Sequence, residues 1–333
     1  MGSKGKILLR IRRLFSAYTI EILTVVALLV MGIFFDGFLC LDGILNIMKS
    51  ASLKGVLALG MTVLMVSGHM DLSVGSTAAF AGVLFGGILE GLGRAPWAIL
   101  PAFVAVIAMA VCVASLNTWA TIHMGIPSLM STFAVSKIVY ALCGLCATLQ
   151  FKRQFFPAWF KNMVGQKWFG VLPGAIGIFA VFAAIFGLVL AKSQFGRNIY
   201  TVGGNLESAK LSGIKTTWVQ YLAFLVVQLS AVMSGLMLCG YQGSASHNYA
   251  QDWPLDVICS AIIGGAAIKG GYGSIKGTCL GLFFVGLMNN ALIYLKADAF
   301  AQYFLSGVLM ISVAVLNDHN QKEGARQKLA RPY

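Results

Sequence analysis

Asp71 stands between two apolar runs in the stretch GMTVLMVSGHMDLSVGS, residues 60–76, with Ser73, Gly75 and Ser76 just behind it. A carboxylate at bilayer depth costs roughly 2.5–3.5 kcal/mol to insert, so it has to meet helix amides or a polar cavity. Two roles fit these residues: Asp71 caps the following helix with Ser73 in its first turn, or it touches a passing solute. His69 is either a tolerated interfacial residue or one that tunes solute choice. Asn289 and Asn290 sit inside another apolar run, where amides need partners, so they bond to a neighbouring helix or line a pathway.

Residue sets for covalent or metal chemistry do not assemble. The four histidines, His69, His123, His247 and His319, fall in no His-Glu-x-x-His pattern and in no recognisable Ser-His-Asp context. Cys143 and Cys146 have the spacing of half a zinc site but no second pair, and the seven cysteines read as small packing residues. The one Gly-Lys pair, Gly5-Lys6, is followed by Ile7, so there is no phosphate-binding Gly-Lys-[Ser/Thr] loop and any ATP must be bound by another chain. An intramembrane enzyme is not indicated.

The elements that carry these residues are membrane spans. Of 333 residues, 58% are hydrophobic and 11% charged, too few charges for a water-soluble domain. A spanning helix needs about 20 apolar residues, which leaves room for about ten. Hydropathy and breaker residues put them near 19–39, 51–68, 72–93, 97–116, 127–149, 172–192, 217–239, 255–268, 274–295 and 300–317. The predicted fold is therefore all-α, a polytopic helical bundle with some broken helices. Residues 1–18 form a basic amino-terminal segment, 19–317 the membrane domain and 318–333 a basic tail.

An even count returns the chain to its starting side, and the positive-inside rule makes that side cytoplasmic for both basic ends and for the loop 193–216. The formal charge of +13 follows from this placement rather than from nucleic-acid binding. The loop 150–171 disagrees, because it carries Lys152, Arg153, Lys161 and Lys167 on the outer side. Its Phe151, Phe155, Phe156, Trp159, Phe160, Trp168 and Phe169 suit a segment lying among lipid headgroups.

Glycine spacing predicts where helices touch. Gly82 with Gly86, and Gly273 with Gly277 and Gly281, form small-xxx-small steps that let backbones approach closely in lipid. The segment 264–273, with five glycines, breaks a helix. In FGRNIYTVGGNLESAKLSGIK, residues 195–215, Gly203 and Gly204 permit a tight turn and Asn205 can cap a short helix from Leu206 to Ser212. Leu206, Ala209 and Gly213 would share its small apolar face, suited to a partner's groove.

Three of these stretches together resemble the permeases of the ribose, xylose, arabinose and galactose type of ABC importer, over most of the chain. Asp-Leu-Ser-Val-Gly-Ser at 71–76 keeps that pattern, while His69 and Met70 stand where Gly and Ile are usual. Residues 195–215 resemble the family's cytoplasmic coupling loop, with Gly203, Gly204, Asn205, Leu206, Glu207, Ala209, Leu211, Gly213 and Ile214 as its contact region. WPLDVICSAIIGGAAIKGGYGSIKGTCLG, residues 253–281, resembles the family's Gly-Gly break and following helix start, with Lys269 as a departure.

The resemblance implies a multi-pass permease of the prokaryotic inner or plasma membrane. It implies a second permease chain, identical or related, an ATPase subunit that binds ATP and Mg, and an extracytoplasmic solute-binding protein that delivers a monosaccharide or similar small polar solute. The rival reading is an ion-coupled secondary transporter in which Asp71 or Glu90 carries the coupling ion; an inverted repeat would favour it.

Overall fold

The computed structural model describes residues 19–312 apart from 36, 37, 151–155, 169, 297, 299, 302, 303, 305, 306, 309 and 310. The expected basic ends, 1–18 and 318–333, lie outside the described residues, as does much of the span expected at 300–317. Among the described residues up to 294, the α-helices in chain order are α1 (Thr19–Phe34), α2 (Leu41–Val66), α3 (Val74–Gly91), α4 (Ile99–Thr118), α5 (Ser128–Gln150), α6 (Ala158–Gly165), α7 (Gly174–Lys192), α8 (Gln194–Gly204), α9 (Leu206–Leu211), α10 (Thr216–Gln242), α11 (Trp253–Ile263) and α12 (Ile275–Tyr294). A 3₁₀ turn at Pro96–Ala98 leads into α4, and a π turn at Trp119–His123 prolongs it. β1 (Lys167–Trp168) and β2 (Leu172–Pro173) form a two-strand antiparallel hairpin.

Seven stretches among the described residues are long and apolar enough to cross a membrane: Leu41–Val66, Val74–Gly91, Pro96–His123, Ser128–Ala147, Gly174–Lys192, Thr216–Gln242 and Ile275–Tyr294. Thr24–Phe34 and Trp253–Ile263 are shorter apolar helices. The polytopic helical class expected from hydropathy is what the chain forms. Two expected spans come out with different lengths: α2 starts ten residues earlier than 51, and the 255–268 span shrinks to the 11-residue α11. Pro254 in the first turn of α11 gives up no intrahelical bond, and Gly265, at φ +88°, follows its end.

The chain divides into two compact units. In the smaller, residues 1–48 and 283–333, Met31, Phe38, Ile47, Leu287 and Ala291 form the core, with Phe38 edge-on to Tyr294 at 5.1 Å. The larger unit, residues 49–282, has a buried interior of α2, α3 and α10. Helices α4, α5 and α7 lie outside these and expose Val104, Ile107, Ile138, Leu142, Val181 and Ile185. Exposed apolar side chains of this kind match lipid, so hydrophobicity alone does not hold the interior together; small residues and hydrogen bonds do. Gly235 leaves room for the Ala78 carbonyl of α3, and Gly82 for the Cys239 thiol of α10.

The predicted glycine stripes are partly redistributed. Gly277 and Gly281 bring α12 against α11, since a Cβ on either would overlap the Gly264 or the Ser260 carbonyl. Gly86 is buried in α3. Gly273, however, precedes α12 and touches the Val66 side chain, so it belongs to a loop contact and not to a helix stripe.

The segment 150–171 also departs from expectation. Phe156 and Phe160 do not spread among headgroups; they are buried against Phe85 of α3, with ring centroids 6.0 and 5.7 Å away. The Phe156 amide donates to the Gly243 carbonyl at 3.3 Å, fastening the segment to the end of α10. Alternating aromatic and basic residues read as an interfacial pattern because sequence does not reveal which rings find a cavity. Trp159, 46% exposed, keeps the expected surface position.

Candidate functional site

Two neighbouring regions of the larger unit collect the predicted residues. The first is the break between α2 and α3. Gly68, at φ +91°, stops α2 with its amide on the Met65 carbonyl at 2.9 Å, a conformation that a side chain would strain. Six residues later α3 begins with Ser73 as its N-cap, and no side chain caps it.

Asp71 therefore does not cap α3 in the expected way, and Ser73 precedes the first turn rather than lying in it. Asp71 closes a local turn, with its Oδ1 accepting the Ser73 amide at 2.7 Å and the Ser73 hydroxyl at 2.6 Å. Its Oδ2 accepts Nδ2 of Asn117, from the end of α4, at 2.9 Å and Nε2 of Gln228, from the middle of α10, at 2.7 Å. The same two amides reach Ser73 Oγ at 2.9 and 2.8 Å. All four residues are wholly buried.

Four donors on one wholly buried carboxyl group give both of its oxygens partners, which is what a polar group at this depth requires. The arrangement ties the break to α4 and α10. It is also fixed to the start of α5, because Leu72 N donates to Thr132 Oγ1 at 3.0 Å and Met70 N to Ser128 Oγ at 3.3 Å. His69 is half-buried, 2.9 Å from Gln220 Nε2 and with its ring 5.6 Å from that of Phe224, so it packs on α10.

The second region is the polar segment between α7 and α10. It contains two helices where sequence indicated one. Ser193 caps α8 by accepting the Gly196 amide at 3.0 Å, and Ile199 and Val202 are buried beneath it. Asn205 is extended, and its Oδ1 accepts Ser208 N at 2.9 Å, so it caps α9 as expected. Gly213, at φ +77°, ends the element, and the Ile214 amide returns to the Ala209 carbonyl at 3.1 Å.

Two expectations for this segment are corrected. Gly203 and Gly204 are the last helical residues of α8 and make no tight turn. Gly203 is required instead by proximity: a Cβ there would overlap the Val66 carbonyl and lie 2.8 Å from Gly271 N. Of the expected shared face, Leu206 and Gly213 are exposed, but Ala209 has no exposure and packs inward. The outward surface is Leu211, 90% exposed, with Glu207 and Lys210, which lie 3.5 Å apart across one turn.

Of the remaining candidates, Asn290 and Glu90 have local partners. Asn290 Nδ2 bonds back to the Gly286 carbonyl of its own helix at 2.9 Å rather than to another helix, and Asn289 is half-buried. Glu90 lies at the far end of α3, with Arg94 3.8 Å away.

Sequence reasoning missed Asn117, Gln228 and the ion pair between Lys54 of α2 and Asp256 of α11. Each is a polar residue within a helix that is apolar over most of its length. That signal marks a residue as needing a partner without naming the partner. Among the described residues there is no cluster of three His, Cys, Asp or Glu side chains able to hold a metal.

Known proteins place this architecture. The chain is 31% identical to the probable ABC transporter permease protein YphD of Escherichia coli (strain K12) over 89% of its length and 88% of that protein's. It is 28% identical to the L-arabinose transport system permease protein AraH of the same organism, covering 93% of both chains. Identity to the ribose import permease protein RbsC of Bacillus subtilis (strain 168) is 29%, over 84% of this chain and 85% of that one. Its fold is shared, at a TM-score of 0.51 and 14% identity, with a solved chain described as an inward-facing conformation of a metal-chelate type ABC transporter, covering 91% of this chain and 98% of that one. Residues 43–314 match the family described as branched-chain amino acid transport system / permease component, and the chain belongs to that family of membrane permeases.

Proposed function

We propose that this permease moves a monosaccharide or similarly small polar solute inward, driven by a separate ATPase that grips α8 and α9. The solute class rests on relatives whose names specify L-arabinose and ribose. The observation that carries the drive mechanism is the α8–α9 element, an outward-facing pair of short helices with an exposed Leu211. A short helix of this kind is marginal alone in water and suits a partner's groove.

Charge supports a cytoplasmic position for this end of the larger unit. Lys192, Arg197, Lys210, Lys215, Lys269 and Lys276 are all exposed around it, and the positive-inside rule puts such a cluster on the cytoplasmic side. Beside it, Trp119 and Trp218 are exposed on a 620 Å³ recess with His123 and Tyr221, as interfacial aromatic residues are. Both chain ends would then be cytoplasmic with ten spans. ATP and Mg would be held by the ATPase, a second permease chain would complete the pathway, and a solute-binding protein would deliver from outside.

Rigid-body gating follows: ATP binding draws the ATPases together, and α8–α9 moves with them. The ion-coupled reading is weaker, because both oxygens of Asp71 are already engaged by donors. The test is uptake into vesicles holding the permease and its ATPase, with and without ATP and the binding protein. Uptake that needs all of these is the expected result, and uptake driven by an ion gradient alone would overturn the proposal.

A further inference from the structure

Three pieces of backbone meet where α8 ends. The Gly271 amide donates to the Val66 carbonyl, the last of α2, at 2.9 Å. Gly203 lies against that same carbonyl and against Gly271 N. A Cβ on Gly270 would be 2.8 Å from Gly68 Cα and 3.0 Å from the Gly203 carbonyl, and one on Gly271 would be 2.9 Å from Gly204 Cα. Gly68, Gly270 and Gly271 all have positive φ. Tyr200, one turn back on α8, donates its hydroxyl to the Gly273 carbonyl at 2.6 Å.

We infer that this glycine junction, with Tyr200 as its hydrogen-bonded arm, delivers the movement of α8 directly to the broken helices. Tyr200 and Gly203 are thus positioning residues for transport. The inference rests on the reading of α8–α9 as the ATPase-driven element.

The argument is mechanical. Side-chain contacts absorb small displacements by changing rotamer, whereas backbone pressed on backbone has no rotamer to change, so the three segments shift together or separate. Val66 leads within five residues to Asp71, whose carboxylate is bound to α4 and α10. Gly270 to Gly273 lead into α12, which is packed on α11 through Gly277 and Gly281. Displacement of α8 therefore reaches both helix breaks without travelling along α7 or α10.

Gly187, inside α7 and outside the junction, supplies an internal control, because a Cβ there would meet nothing within 4 Å. In vesicles containing the permease, its ATPase and the binding protein, solute moved per ATP hydrolysed is measured together with basal and binding-protein-stimulated hydrolysis. Gly203→Ala is expected to lower solute per ATP at least tenfold, and Tyr200→Phe about threefold. Both should keep basal hydrolysis while losing stimulation, which a merely destabilised chain would not do. Gly187→Ala should match the wild type. If Gly203→Ala fails to assemble, Tyr200→Phe decides, since it removes one hydroxyl and adds no volume. Wild-type coupling in Tyr200→Phe, or an equal loss in Gly187→Ala, overturns the junction. Absence of ATP-driven uptake by the wild type would instead overturn the importer reading on which it rests.

Discussion

The Asp71 turn and the α8–α9 element lie close together in the fold but are held by opposite means. Asp71 is fixed by side chains reaching in from α4 and α10, whose amides converge on its buried carboxyl group and on Ser73 Oγ. The α8–α9 element is fixed on its inner side by backbone contacts at glycine, while its outer side is left exposed. A clamp of side chains fails by leaving buried groups unpaired, so its loss registers as instability. An exposed surface has little folded-state work to do, so its loss registers only when a partner is absent from it.

The largest effect separating the two is expected from Asp71→Leu. Asn117 and Gln228 would lose the carboxyl group and keep only Ser73 Oγ between them, and a buried donor left short of an acceptor costs about 1–3 kcal/mol. Thermal unfolding in detergent should show a markedly less stable protein, or very little folded protein at all. Unchanged stability with reduced flux would mean that Asp71 acts on solute rather than as a clamp.

Leu211→Asp should do the reverse. The residue is 90% exposed, so the unfolding temperature should hold, while affinity for the ATPase falls at least about tenfold, or ~1.4 kcal/mol. Co-purification titrated with ATPase reads this directly, and a full complement of bound ATPase would break the comparison. The smallest change is expected from Asn205→Ala, which removes the α9 cap at a cost of about 1 kcal/mol. ATPase affinity should drop about fivefold with no change in the bundle's stability. A cap loss that unfolded the permease would show α9 to be part of the clamp after all.

What the sequence revealed divides along the same line. The helix breaks were legible, because Asp71 and the glycines at 264–273 cannot continue an apolar helix cheaply. The Asn205 cap was legible as well, since its partner is only three residues away. Pairings across long separations were not: Asn117 and Gln228 lie 46 and 157 residues from Asp71, and nothing local points to them.

At Gly203 conformational freedom is unused and the missing side chain matters, a property that a glycine's position in the sequence does not announce. Spacing groups Ala209 with Leu206 and Gly213 without saying which way each of them points, and Ala209 points inward. Phe156 and Phe160 failed for a similar reason, because an aromatic ring fits a headgroup layer or a protein cavity equally well.

The central claim is that Leu211 presents itself to an ATPase on the cytoplasmic side. Membrane-impermeant maleimide labelling of Leu211→Cys, scored above the wild-type background in right-side-out and inverted vesicles, tests it most directly. The account predicts labelling in inverted vesicles only, blocked when the ATPase is bound. Labelling from the external face, or labelling that bound ATPase leaves untouched, would contradict it.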